Sequence, residues 1–349
     1  MFNMTSGLVR FVHRICLCAA VAACLSTQIA KADIAAYNEA VLAKDFPSAV
    51  TAAESIWATW ERSDPQTLAI IEEFTFSAAR ANDLDAIDKF AADWISVADA
   101  VQSDAVTKSI ANLARNYVYF ARTPRRETAE VFANALEARI ALGGTDLQSI
   151  LYASHGYNVS LAQKPNKQYI RIAEALAALW GAAGPTYLPQ QWHAQMEALG
   201  LEFVLYHKRD TYQRMGQLLK TNVALWEQNR EAVPFTETRK EYYDALAWGY
   251  AIQAYMESDG KRVNDWEDLS IPTEETGNEK PESELPFCKN GKFTNQKLPE
   301  YPRQSAFRLP VGAVVLLMKL NEDGQVSAAE VLGSMPTNAG FEKATTDAV

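Results

Sequence analysis

The chain has 349 residues, enough for two or three domains. Hydrophobic residues make up 48% and charged residues 22%, which excludes wholesale disorder. Its 33 basic and 43 acidic residues give a net charge of −10, a balance that repels phosphate backbones and anionic lipid heads and argues against nucleic-acid binding.

Residues 1–32 read as an address label. Arg10, His13 and Arg14 form a basic region, residues 15–25 an apolar one, and no acid precedes Asp33. Ser26-Thr27-Gln28 then leads to Ala30-Lys31-Ala32, a small-x-small site, so a signal peptide cut after Ala32 is expected. As a membrane anchor even residues 15–30 fall short of roughly 30 Å of hydrocarbon. A second processing point competes. Val21-Ala22-Ala23-Cys24 resembles the lipobox of bacterial lipoproteins, which would make Cys24 a diacylated tether. Both points stay open. Either way Cys16, Cys18 and Cys24 lie in the leader and Cys288 is alone beyond it, so neither an internal disulfide nor a thiolate zinc site is expected.

From 33 to 257 the apolar residues recur at helical spacing, as in Ala49, Val50, Ala53, Trp57 and Trp60. Shifted by 37 or 38 residues the chain resembles itself: Asp45-Phe46 answers to Asp83-Leu84, Ala49-Val50 to Ala86-Ile87, and Trp57 to Trp94. Asp210, Tyr212, Leu219 and Trp226 give a looser echo. Period and turn placement resemble tetratricopeptide-type (TPR-like) helical hairpins, although no unit carries the full consensus. Such hairpins stack into a solenoid whose concave face grips peptides. Breaks are expected at Thr123-Pro124, Gly143-Gly144, Gly181 to Pro185, and Pro234.

Catalytic chemistry finds little support. His155, His193 and His207 include no pair at metal-ligand spacing, and HExxH, GxSxG, Walker A and GxGxxG motifs do not occur. Tyr152, His155 and Tyr157 read as a packed aromatic corner. Glu72 and Glu73, about 100° apart on a helix, read as a solvated face. Neither a metal, a cofactor nor an enzyme activity is expected. A hydrolase reading rests on the three histidines alone and needs one of them in a pocket beside a carboxylate.

Residues 258–297 are acidic and punctuated by Pro272, Pro281 and Pro286, with too few apolar residues for a core, and read as a linker. In the region 298–349, a short helix is expected over 301–309 and a strand over 312–320, with Val314, Leu316, Met318 and Leu320 on one face. Asn321-Glu322-Asp323-Gly324 forms a hairpin turn in which Gly324 takes positive φ, and a second strand covers 326–332. Asn338 then caps a helix over 340–349.

This last stretch resembles the TonB C-terminal domain in Tyr301-Pro302, the strand with Gly312 and Val314, the turn Asp323-Gly324-x-Val326, and the helix led by Phe341 with Ala344. The resemblance covers about the last 50 residues. It implies a small periplasmic α+β module that grips a peptide of an outer-membrane receptor by strand addition to a sheet edge. Two departures qualify it. The family pattern continues beyond the point where this sequence ends with a further strand, the one that receives the peptide, and a cleaved leader leaves no inner-membrane helix to transmit force. The sequence thus predicts a mainly α chain, a TPR-like solenoid followed by the TonB-like module, acting as a periplasmic adaptor for envelope proteins or peptides, with a membrane link only through a lipid anchor or retained leader. The alternative is a TonB-type energy transducer serving outer-membrane receptors.

Overall fold

A computed structural model describes residues 28–208, 210–258, 312–335 and 340–349. Cys24, Cys288, Tyr301, Pro302, Asn338 and the linker expected over 258–297 (from residue 259 on) lie outside the described residues. The described chain is mainly helical, with one two-stranded antiparallel sheet near the C-terminus. It divides into two compact units, residues 1–123 with 141–144, and residues 124–140 with 145–349.

The first unit contains α1 (Gln28–Ala43), α2 (Phe46–Thr59), α3 (Thr67–Ala81), α4 (Leu84–Ala100) and α5 (Ala105–Arg122), each packed on the next. Ala32 falls inside α1. Three turns between these helices close in one way, those at Lys44 and Asn82 being 38 residues apart and that at Gln102 falling at the next junction. Lys44, Asn82 and Gln102 each take left-handed φ, and the following N–H reaches back to the carbonyl of Ala40, Ala78 or Ala98, closing the preceding helix. Asp45, Asp83 and Asp104 then accept backbone N–H groups of the next helix, relieving the unpaired donors of its first turn.

The matched tryptophans also fall into place. Trp57 and Trp94 are both buried, and the Trp57 indole donates to Asp93 at 2.6 Å. Phe74 fills the space between helices, with ring centroids 5.1 Å from Tyr37 and 5.8 Å from Phe90. Glu72 and Glu73 correct the expectation of a solvated face. Both are half-buried, and Glu73 accepts from the Tyr37 hydroxyl at 3.4 Å, because α1 packs across that side of α3.

The second unit contains α6 (Arg126–Ala141), α7 (Leu147–Leu161), α8 (Lys167–Ala183), a 3-10 turn (Pro185–Tyr187), α9 (Leu188–Tyr206), α10 (Thr211–Gln228) and α11 (Phe235–Ser258). Two of the expected breaks mark its helix junctions. Gly184 takes φ 113°, a region closed to most side chains, between α8 and the 3-10 turn, and Pro234 precedes α11. Asp146 caps α7 and also pairs with Arg139 at the end of α6, whose side chain is only 6% exposed. The core gathers Trp192, Met196 and Phe203 of α9, Met215, Leu219 and Trp226 of α10, and Tyr242 and Trp248 of α11. At Gly200 a Cβ would lie 2.7 Å from the Trp248 ring, so α9 and α11 approach at a spacing a side chain would forbid.

The same unit holds β1 (Ala313–Leu320), β2 (Val326–Met335) and α12 (Phe341–Thr346). Gly324 takes φ 76° as expected, and the Asn321 side chain accepts from the N–H groups of Asp323 and Gln325 to close the turn. β2 runs three residues beyond its expected end and carries two bulges, where Leu332 and Ser327 are the extra residues. That extension seats the hairpin on α11. Gly333 lies against the backbone of Tyr243 and Asp244, Ser334 donates its N–H to Asp244 at 2.9 Å, and Met335 joins the helical core with Ala313 and Val315. Gly312 leaves room for the Phe341 ring, which is buried under the strands.

Candidate peptide-binding groove

An open groove of about 510 Å3 crosses α8, α9 and α10, and a second hollow of about 440 Å3 continues it along α10, sharing Gln217 and Thr221. Helical periodicity puts its residues there. Glu174, Ala177 and Ala178 share a face of α8, Gln191, Gln195, Leu199 and Glu202 a face of α9, and Arg214, Gln217, Leu218 and Thr221 a face of α10. The opposite faces carry Leu176, Leu179, Met196, Phe203, Met215 and Leu219 into the core, so burial fixes which side is presented. Asn166 starts α8 by accepting from Gln168 and Tyr169, and left-handed His207 stops α9.

The floor is small and apolar, from Ala177, Ala178 and Ala198, and the walls carry neutral amides. Gln195 accepts from Asn222 at 3.0 Å, which leaves its NH2 as a donor, and Gln217 donates to Thr221 at 3.4 Å, which leaves its oxygen as an acceptor. The Gln191 amide fills the place where Gly181 has no Cβ, which would be 2.9 Å away. A floor of methyl groups under paired donors and acceptors suits an extended polypeptide, whose backbone offers one N–H and one C=O per residue.

The two carboxylates differ in their electrostatics. Burial alone would raise Glu202, but its bonds from Lys208 and Arg214 outweigh this and hold it below the usual range. Glu174 is pushed up by burial and then by the nearby Glu202 carboxylate.

A separate acidic cluster lies inside the unit, where Glu197 and His193 of α9 meet Glu241 and Asp244 of α11. Burial pushes the Glu197 and Glu241 carboxyls up, and the neighbouring His193 opposes this in both. Burial also raises the Tyr157 hydroxyl, reinforced by the nearby Glu197. One oxygen of Glu241 is buried without a hydrogen-bond partner. Asp244 is committed on both oxygens, to the Ser334 N–H and to Lys240. His193 therefore lies near carboxyls, but it does not line the groove. Among the described residues no group of three or more His, Cys, Asp or Glu is placed to hold a metal, and no helix is long and apolar enough to cross a membrane.

The described residues that carry the TonB resemblance lie together in the hairpin and its helix. Gly312 and Phe341 touch, Val314 pairs with Ser334, Val326 opens β2 opposite Leu320, and Ala344 bonds back to Gly340 in α12. Asp323 and Gly324 occupy the turn. None of them lines the groove. The groove residues were not singled out by sequence. Their one signal is the four-residue spacing of Gln191 with Gln195 and of Gln217 with Thr221, which also suits any solvated helix face. Comparison with protein-family models, curated proteins and solved structures finds no match to this chain.

Proposed function

We propose that this protein is an exported, non-catalytic adaptor whose helical hairpins stack in TPR-like fashion and whose α8–α10 groove holds an extended segment of another envelope protein. The groove, with its alanine floor and amide walls, is the observation that carries this reading. The stacking has support in bonds that recur at nearly constant sequence separation. In the first unit they join Tyr37 to Glu73, Glu54 to Lys89, Trp57 to Asp93 and Asn82 to Tyr117, and in the second they join Glu130 to Gln168 and Glu137 to Arg171, at 34 to 38 residues apart. Hairpin repeats place side chains one repeat apart in register, which accounts for the near-constant interval.

The reading is tested in cells with a photocrosslinking residue at Gln217, on the groove, and at Glu237, an exposed residue of α11 that lines neither hollow. Crosslinks to a second protein are expected from Gln217 and not from Glu237. Equal crosslinking from both, or none from Gln217, would count against it.

The runner-up, TonB-like strand addition, draws on the hairpin's exposed Leu317, Leu320 and Val331. Against it, Asp244 takes the outward N–H of Ser334, so α11 already occupies that stretch of the β2 edge.

A further inference from the structure

The groove holds one carboxylate paired within the protein and one that is exposed on the groove and unpaired. Glu202, whose side chain is 12% exposed, is bonded by both Lys208 and Arg214. Glu174 has no hydrogen bond or ion pair among the described residues. The guanidinium groups nearest to it are already committed, Arg171 to Glu137 and Asn134 and Arg214 to Glu202. Glu202 and Glu137 disfavour its negative charge while Arg214 and Arg171 favour it, so Glu174 keeps an open face on the groove at which a cation can pair with it.

Resting on the adaptor reading above, we propose that the groove selects an extended peptide that sets an arginine or lysine side chain against Glu174. The neighbouring amides fix the peptide backbone. Gln195 can donate to a carbonyl and Gln217 can accept from an N–H, so the basic residue is presented at one register and not along the whole groove. A single Glu174 charge met by a forked guanidinium gives both attraction and orientation, which favours arginine over lysine. The overall charge of −10 draws a basic segment in at long range, and Glu174 fixes where it stops.

The full chain is screened against an immobilised random nonapeptide library, beside Glu174→Gln and Glu174→Lys variants. Enrichment of Arg or Lys at one position is expected. E174Q should weaken the selected peptide about 1.5- to fivefold, the range for one exposed charge pair, and E174K should abolish the basic preference. Circular dichroism and melting checks that both variants remain folded. Peptide binding without a basic preference, or one that E174Q leaves unchanged, would overturn the assignment while leaving the groove as a peptide site. Loss of all peptide binding by the folded wild-type chain would overturn both. Binding of free arginine or putrescine as tightly as the selected peptide would mean a small-cation site and would also overturn the proposal.

Discussion

Glu197 and Asp146 show how the same kind of side chain is driven in opposite directions by its surroundings. For Asp146 burial is outweighed by the Ser149 N–H and Arg139, so its carboxyl is held low in the folded state. Its contribution to stability is present above the ordinary carboxylate range near pH 4 and is lost as pH falls through its lowered value. Glu197 behaves in the reverse sense. Its folded form holds a proton more tightly than its unfolded form, so stability falls as pH rises from about 4 through the raised value. Glu197→Gln keeps the shape and removes the charge. Thermal melts are expected to show the variant more stable than wild type by a few degrees at pH 8, with the gap closing at pH 4. A loss of stability that is the same at both pH values would contradict this account of Glu197.

At the scale of elements, the hairpin depends on its seat. Gly333 is the residue that permits it, because any Cβ there would run into the backbone of α11. Gly333→Ala is expected to lift β2 from Tyr243 and Asp244 at a cost of about 1–3 kcal/mol. Hydrogen exchange should then speed up in β1 and β2 and at the Ser334 amide, while α2 to α4 stay protected. Unchanged exchange in the strands would show that the hairpin is held by other means.

Much of this element was legible in the sequence. An Asp-Gly turn between alternating apolar runs has few other solutions, since Gly324 alone tolerates the required φ at no cost. The docking was not legible, because it joins Ser334 to Asp244 across 90 residues and turns on the absence of one side chain. The helix caps are as local as the turn. Asp45 and Asp83 act within three residues of themselves. The groove read poorly because three helices build it together, and glutamines and threonines on any one of them look like ordinary solvated positions.

For the whole molecule, the repeat visible as Trp57 and Trp94 is accompanied by a recurring interval of bonds, while the groove proposed to take a partner is built from residues that do not repeat. Glu174, Gln195 and Gln217 have no counterparts among the matched positions, which leaves the framework free to be regular and the groove free to be selective. Ala178 offers the cleanest way to separate the two, since it is exposed, lines the groove and takes no part in the core. The direct test is the affinity of a library-selected peptide for wild type and for Ala178→Trp, with melting temperature measured alongside. The account predicts at least a tenfold loss of affinity at an unchanged melting temperature. Unchanged affinity in the folded variant would contradict the claim that α8, α9 and α10 form the binding surface.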